Sequence, residues 1–271
     1  PVKVYTGSTD PKEVILKRIT DSIEQTLDSL GLSVRDVEGI GIGSTGPLDL
    51  ESGTILECPQ LPSMHFFPLK KAVEKHFKTN VLINNDANCL ILGESVFGAA
   101  ADKKIVLGFT LGTGLGSAIV LDRHIFNGAT GTAAEIWPSP YQSGTIEDYI
   151  CGSGVSAIYR SISGVNKSSY EIYILASDGD KIALEAWKEF GRHLAVPIAW
   201  SINMLDPDIV VLGGSVTSAY SFFKKSMEEN LKKWICPVPA EKTKVVTAQL
   251  GDYAGFIGAA CLVITNNHNK K

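Results

Sequence analysis

The chain has 271 residues, of which 44% are hydrophobic and 20% are charged, a composition that excludes an intrinsically disordered or low-complexity protein. Lys and Arg total 25 against 29 Asp and Glu, the net charge is −4, and no run of five basic residues occurs, so nucleic acid is not expected as a partner. The longest apolar run, near Ala254–Ile264, is too short to cross a bilayer, so no membrane partner is expected either.

The cysteines indicate the redox environment. Their number, 5, is odd and no two form a Cys-x-x-Cys pair. This predicts free thiols in a reducing, cytoplasmic compartment rather than disulfides or a cysteine-ligated metal. The histidines also lack the spacing of metal ligands, so no metal-ligating residues are predicted. The chain begins with Pro1 rather than Met, as expected of a fragment or a processed product.

The first hundred residues alternate helices with strands. Apolar residues at helical spacing predict an amphipathic helix from Pro11 to Leu30. Short apolar runs predict strands at Val37–Ile42 and Val81–Ile83, and a further helix is expected near Pro68–Phe77. This alternation is typical of an α/β protein.

The pattern changes near Lys104, which predicts a domain boundary there. Two strands, Ile105–Leu111 and Ser117–Leu121, flank a glycine-rich turn. The segment from Phe126 to about Ser169 is predicted to be rich in loops. A buried strand at Ile209–Leu212 follows later in the chain.

The glycine-rich turn is the first candidate ligand site. Gly112, Gly114 and Gly116 are spaced two apart and lead into a β-branched strand, whereas a dinucleotide-binding fingerprint needs its third glycine three positions on and then a helix. The pattern predicts a turn between antiparallel strands whose backbone N–H groups can bind a polyphosphate. A purely structural hairpin explains the same spacing.

Asp86 is the second candidate. It ends a buried strand beside Asn85, and α/β proteins bind ligands at the carboxyl ends of strands. A carboxylate in this place can act as the general base toward a substrate hydroxyl. The alternative is that Asp86 or Asn85 only caps the following helix.

Two glutamates and a glycine pair complete the candidates. Glu135 and Glu147 can accept charge-assisted hydrogen bonds from neighbouring sugar hydroxyls, or they are solvated loop acids. Gly213 and Gly214 end the apolar strand, where a flat ring could approach the backbone closely. An ordinary strand-to-helix turn explains this pair as well.

The order of these motifs resembles the ROK family of sugar kinases over nearly the whole chain. The resemblance rests on Ser44–Asp49, Asn85–Asn88, Leu111–Gly116, Asn127–Gly131, Glu135, Asp206-Pro207, Val210–Gly214, Leu250–Asp252 and Gly258–Ala260. It implies an α/β protein with the two-lobed actin/hexokinase-like (ribonuclease H-like) fold, in which sugar and ATP bind between the lobes. The small lobe would comprise residues 1–103 and 252–271, and the large lobe residues 104–251.

The resemblance also implies a role for each candidate residue. Asp86 would be the catalytic base that takes the proton from the 6-hydroxyl of the sugar. The other substrate contacts would be Gly46, Asn85, Glu135 and Glu147. ATP, accompanied by Mg²⁺, would bind Gly112, Thr113, Gly114 and Gly116 in one loop and Gly213 and Gly214 in another. A homodimer is implied as well.

The chain departs from the family pattern in two places. It lacks the opening strand pair with its Asp-x-Gly-Gly-Thr phosphate loop, whose aspartate helps to hold magnesium, so it would begin just after that unit. The zinc motif Glu-x-Gly-His is replaced by Glu135-Ile136-Trp137-Pro138, and the cysteines that follow it by Tyr141–Ile146. This predicts a zinc-free protein whose loop is held by packing of Trp137, Pro138 and Tyr141.

Three classes of function follow from these observations. The favoured one is ATP-dependent phosphorylation of a hexose at its 6-hydroxyl, with glucose as the first choice and an N-acetylhexosamine or fructose as alternatives. The second is a sugar-binding regulatory protein of the same family without turnover; its repressors carry a helix-turn-helix, which nothing here resembles. The third, an actin-like assembling protein, would not need Asn85, Asp86 and the paired glutamates.

Overall fold

The computed structural model describes residues 2–268, and side chains up to residue 266. The helices are α1 (Lys12–Ser29), α2 (Leu69–Phe77), α3 (Asp86–Phe97), α4 (Glu147–Ile150), α5 (Gly152–Ser163), α6 (Ser169–Ser177), α7 (Lys181–Leu205), α8 (Tyr220–Trp234), α9 (Pro237–Lys242) and α10 (Ala254–His268). The strands are β1 (Ile40–Ser44), β2 (Leu48–Asp49), β3 (Thr54–Ile55), β4 (Val81–Asn85), β5 (Ile105–Leu111), β6 (Leu115–Leu121), β7 (His124–Ile125), β8 (Pro140–Tyr141), β9 (Gly144–Thr145), β10 (Ile209–Gly213) and β11 (Lys244–Thr247). None of the helices in this described part of the chain has both the length and the apolar character that crossing a membrane requires.

The chain divides into two compact units. Unit 1 comprises Pro1–Gly93, Gly128–Gly131 and Asp252–Lys271, and unit 2 comprises Glu94–Asn127 and Thr132–Gly251. The predicted lobes, 1–103 with 252–271 and 104–251, remain a prediction, and they differ from these units at residues 94–103 and 128–131. Pro1 and residues 269–271 of the predicted small lobe lie outside the described residues.

Unit 1 is built on the parallel strands β1 and β4. Their register pairs Ile40 with Val81 and Ser44 with Asn85, so both strands end at the same edge. Helices α1 and α2 contribute apolar side chains to one core with these strands, and Ile15 in that core is only 2% exposed. The residues that follow β1 and β4 are therefore brought side by side.

A cavity of about 670 Å³ borders β1 within unit 1. Apolar side chains line most of it, among them Ile23 of α1, Ile40 of β1 and Phe256 of α10. Asp86 and Cys89, from the first turn of α3, also line this cavity. A charged carboxylate thus stands at the wall of a largely apolar recess.

Unit 2 contains a five-stranded sheet in the order β11–β10–β5–β6–β7. Strand β10 is parallel to β5 and β11, whereas β6 and β7 are antiparallel to their neighbours. Fully buried aromatic side chains fill the core between the sheet and the helices, namely Phe109, Trp187, Phe190 and Phe223. The predicted α/β class is correct.

The segment between Phe126 and Ser169 is not loop-rich throughout, contrary to the prediction. Helix α5 runs through it and buries Val155, Ile158 and Tyr159, which recur at helical spacing. The glycines and serines of this helix lower its helix propensity, so the pattern resembles a loop. Packing of the apolar face against the core overrides this weak preference.

Candidate active site

Asp86 begins α3 directly after β4. The carboxylate Oδ1 of Asp86 and the amide Oδ1 of Asn85 both accept a hydrogen bond from the backbone N–H of Ala87, each at 2.8 Å. Both residues therefore cap α3, because the first N–H groups of a helix need acceptors. Capping uses only one oxygen of Asp86, and Oδ2 makes no hydrogen bond within the described chain.

The surroundings of Asp86 alter its acidity. The side chain reaches solvent, but protein atoms stand around it on most sides. Burial raises the pKa of Asp86 above its ordinary value, and the hydrogen bond from Ala87 partly opposes this. Burial, together with the charge of Asp86, raises the pKa of Cys89 to about 12. Cys89 is therefore a neutral thiol near pH 7, and Asp86 is the group that can accept a proton here.

Gly46 and Asn85 meet at the same edge of unit 1. Ser44 pairs with Asn85 in the strand register, and Gly46 follows two residues later. A Cβ on Gly46 would lie 3.1 Å from Nδ2 of Asn85. Because this Nδ2 donates to no described residue, it offers a hydrogen-bond donor beside the carboxylate of Asp86.

The two predicted nucleotide segments share one edge of the unit 2 sheet. Parallel strands β5 and β10 pair Thr110 with Gly213, so the turn after β5 and the pair Gly213-Gly214 follow at the same end. Gly214 has φ +88° and ψ 168°, a conformation that essentially only glycine adopts. A Cβ on Gly214 would also overlap the backbone of Leu111. The second glycine of the pair is thus required by the turn itself.

The Gly112–Gly116 segment forms the predicted turn between the antiparallel strands β5 and β6. Leu111 pairs with Leu115, and the N–H of Gly112 donates to the carbonyl of Gly114 at 3.0 Å. The exposed N–H groups of Thr113 and Gly114 donate to no described residue. The predicted turn between antiparallel strands is present, and it leaves these backbone donors available to an anion.

Glu135 and Glu147 are both half-buried in unit 2. The Oε2 atom of Glu147 accepts a hydrogen bond from the backbone N–H of Leu115 at 2.8 Å. Glu135 follows Ala134, whose carbonyl accepts a hydrogen bond from the hydroxyl of Ser117 on β6. Glu147 begins α4, whereas Glu135 lies in a loop, and both lie on segments anchored to the β5–β6 hairpin.

Tyr141 anchors the segment between the two glutamates. Its hydroxyl is hydrogen-bonded to Nδ1 of His193 on α7 at 2.9 Å, and its ring packs edge-on against Tyr149. Trp137 is 44% exposed and Pro138 is exposed, so the predicted packing is correct for Tyr141 alone. The sequence offered no sign of His193, which lies 52 residues away.

The zinc-free character of this loop remains a prediction. No group of three or more His, Cys, Asp and Glu side chains in the described part of the chain is arranged to hold a metal ion. Elemental analysis of the purified protein is expected to find no stoichiometric zinc. One zinc ion per chain would contradict the prediction.

A second cavity, of about 260 Å³, lies in unit 2 directly after the Gly213-Gly214 turn. Its lining includes Ser215 and Ser218 after that turn, Tyr170 and Tyr173 of α6, and Trp187 of α7. The indole Nε1 of Trp187 is buried without a hydrogen-bond partner among the described residues. An unpaired buried N–H is unfavourable by about 1–3 kcal/mol, so a ligand that offers an acceptor would be stabilised here. Aromatic residues on long helices usually belong to the hydrophobic core, so the sequence pattern does not distinguish Trp187 as a candidate ligand contact.

Comparison with known proteins gives consistent matches along the chain. A sequence model described as the ROK family matches residues 3–266. The chain is 28% identical to a glucokinase of Halalkalibacterium halodurans, covering 96% of this chain and 86% of the relative. It is 31% identical to an N-acetyl-D-glucosamine kinase of Photobacterium profundum, covering 94% and 88%. The structure of a ROK family glucokinase from Streptomyces griseus, in complex with glucose and AMPPNP, is 26% identical with a TM-score of 0.81, covering 97% of this chain and 91% of that one.

Proposed function

Because the chain belongs to the ROK family and has the actin-like sugar-kinase fold, we propose that it is an ATP-dependent kinase that phosphorylates a hexose at the 6-hydroxyl, with glucose as the favoured substrate. The observation that carries the proposal is Asp86. Its carboxylate stands at the carboxyl end of β4 with a raised pKa and a free Oδ2.

In the proposed reaction Asp86 is the general base. Oδ1 is held by the N–H of Ala87, which fixes the carboxylate, and Oδ2 is left for the substrate hydroxyl. As the bond between the sugar O6 and the γ-phosphorus forms, the bond from phosphorus to the β,γ-bridging oxygen breaks. The O6 proton passes to Asp86, and ADP leaves. A raised pKa brings the carboxylate closer to the basicity that proton transfer requires.

Two sets of polar groups, each described within its own unit, are assigned to the remaining hexose contacts. In unit 1, the free Nδ2 of Asn85 and the backbone at Gly46 lie beside Asp86. In unit 2, the half-buried Glu135 and Glu147 offer carboxylate oxygens, which bind hydroxyls through charge-assisted hydrogen bonds. A sugar lacking one of these hydroxyls would leave a partner unpaired and would be selected against.

ATP is assigned to the shared edge of β5 and β10. The free N–H groups of Thr113 and Gly114 suit the phosphates, and the cavity behind Gly214 suits the flat base, with the Trp187 N–H as a donor. Mg²⁺ enters as part of the Mg–ATP substrate and offsets charge on the moving phosphoryl group. Phosphoryl transfer depends mostly on such positioning and electrostatic stabilisation.

The first experiment is turnover with Mg–ATP and a panel of glucose, N-acetylglucosamine, N-acetylmannosamine and fructose. Sugar-dependent release of ADP is expected, with the highest kcat/KM for glucose. Phosphorus NMR of the product would locate the phosphate at O6. ADP release that does not depend on any sugar in the panel would contradict the proposal.

The second candidate substrate is an N-acetylhexosamine. The chain is 31% identical to the N-acetyl-D-glucosamine kinase and 28% identical to the glucokinase reported above, and this difference does not separate the two substrates. The same panel decides between them. Sugar binding in calorimetry without turnover would instead favour the sugar-binding regulator.

Two further properties belong to the same proposal. We expect the protein to work in the cytoplasm, where ATP and free thiols coexist. We also expect a homodimer, which light scattering coupled to size exclusion would test. A mass of one chain at micromolar concentration would contradict it.

A further inference from the structure

Glu147 makes a contact that its proposed role in sugar binding does not explain. Its Oε2 accepts the N–H of Leu115, the first residue after the Gly112–Gly114 turn, at 2.8 Å. A Cβ on Gly114 would lie 2.7 Å from the same oxygen, so the carboxylate lies directly against the turn. Its Oε1 makes no hydrogen bond within the described chain.

The backbone around Glu147 is tied to the same turn. The N–H of Gly152, at the start of α5, donates to the carbonyl of Gly112 at 2.8 Å. The N–H of Glu147 itself donates to the carbonyl of Trp137 at 3.3 Å. The short segment 147–152 therefore holds both ends of the turn and also the loop that carries Glu135.

We infer that Glu147 is a positioning residue that couples hexose binding to nucleotide binding. One carboxylate oxygen holds the phosphate-binding turn through Leu115, while the other is free to accept a sugar hydroxyl. This inference rests on the proposed function, because it assumes that hexose and nucleotide occupy the assigned groups. It adds a role that neither a sugar contact nor a structural loop residue would have.

The sign of the coupling follows from charge. A carboxylate beside exposed N–H groups repels the phosphates that those groups are placed to bind. A sugar hydroxyl donating to Oε1 offsets part of that negative charge and restricts rotation of the carboxylate. Bound hexose should therefore strengthen nucleotide binding, and nucleotide must strengthen hexose binding by the same factor.

Three variants separate the two functions of the side chain. Glu147→Gln keeps an oxygen acceptor for Leu115 but removes the charge. Glu147→Ala removes both the acceptor and the charge. Asp148→Asn is the matched control, because the neighbouring carboxylate is exposed and, among the described residues, accepts hydrogen bonds from Thr145 alone.

The test is calorimetric affinity for AMPPNP with magnesium, measured in the full chain without sugar and with saturating glucose or N-acetylglucosamine. In the unmodified protein and in Asp148→Asn, one of these sugars is expected to strengthen binding about fivefold or more. In Glu147→Ala and Glu147→Gln the ratio should fall toward one. Of the two Glu147 variants, only Glu147→Gln should keep the slow exchange of the Leu115 amide proton that the unmodified protein shows. Slow exchange would show that the turn is intact in this variant.

The possible outcomes separate a failure of the coupling role of Glu147 from a failure of the proposed kinase function. If AMPPNP and a sugar both bind, but the ratio is one in the unmodified protein or unchanged in Glu147→Ala, the coupling role is wrong and the kinase proposal stands. If neither ligand binds the unmodified protein, the proposed function fails and the inference fails with it.

Discussion

The candidate site of unit 1 and that of unit 2 are both built where two parallel strands end, but by different means. In unit 1 the polar groups follow directly along the chain, since Asn85 and Asp86 close β4 and cap α3. In unit 2 the edge of β5 and β10 supplies only backbone groups and glycines. Its polar side chains come from elsewhere, as when Glu147 reaches Leu115 across 32 positions.

Mutations at the two sites should therefore act differently. A side chain at the end of a strand can be changed without moving the strand, so variants of the unit 1 site should affect chemistry more than stability. The unit 2 site depends on how α4 to α7 pack on the sheet, so variants there should change both. Variants at the two sites test this difference.

The largest expected effect is that of Asp86→Asn. The amide cannot accept a proton, so kcat should fall about 10²–10⁴-fold, the usual contribution of a general base. The capping acceptor for Ala87 is retained, so hexose affinity should stay within about tenfold and the thermal midpoint should change little. Steady-state kinetics and calorimetry give these values. A variant as active as the unmodified protein would remove Asp86 from the mechanism.

The next effect is on stability at the unit 2 edge. Gly214→Ala places a side chain at φ +88° and against the backbone of Leu111, and it should destabilise the fold by about 1–3 kcal/mol. Gly112→Ala is the control, because a Cβ there meets nothing within 4 Å. Urea denaturation of both variants measures the difference. Equal unfolding midpoints would mean that the second glycine is not required by the turn.

A smaller effect is expected for Trp187→Phe, which keeps the aromatic packing but removes the unpaired N–H. If this N–H binds the base, KM for ATP should rise about three- to tenfold, or about 1 kcal/mol, while KM for the hexose stays constant. Trp234→Phe is the control, since Trp234 is 38% exposed and lies outside the cavity lining. A parallel rise in both KM values would instead indicate a general packing defect.

The smallest effect concerns pH and His193. Burial, and then the charge of Arg192, hold the pKa of His193 below its ordinary value, although Glu189 opposes this. Besides these two charged groups, the ring faces the phenols of Tyr141 and Tyr149. As the pH falls, His193 is therefore protonated in the unfolded chain at a higher pH than in the folded chain. The stability that neutral His193 contributes is fully present above about pH 6.5 and is lost as the pH falls through the pKa of the folded state.

Thermal unfolding between pH 8 and pH 5 would reveal this dependence. The unmodified protein should lose stability across that interval, and His193→Gln, which cannot titrate there, should lose less. Identical pH profiles would show that the Tyr141–His193 contact holds the glutamate-bearing loop without any linkage to protonation.

The two regions also differ in how much of their structure could be predicted from the sequence. The sequence pattern predicted β4, the helix that follows it and the turn between β5 and β6. The neighbouring residues also predicted that Asn85 or Asp86 caps that helix. Helix α5 was not predicted, because its glycines and serines have low helix propensity. The helix is stabilised by packing of its apolar face against the core. Tyr141 was expected to hold its loop by packing, but its partner His193 could not be identified from a site 52 positions away.

The α/β class, the family motifs and the placement of Asp86 and the glycine turns could be predicted from the amino-acid sequence, because each strand, helix or motif is formed by residues that are close together in the chain. Three contacts could be found only in the folded chain: Oε2 of Glu147 holds Leu115, His193 supports Tyr141, and the Trp187 N–H lies at a cavity wall without a partner among the described residues. These contacts join residues from separate elements. Their formation depends on how helices and strands pack, and this packing cannot be predicted from the local periodicity of the sequence.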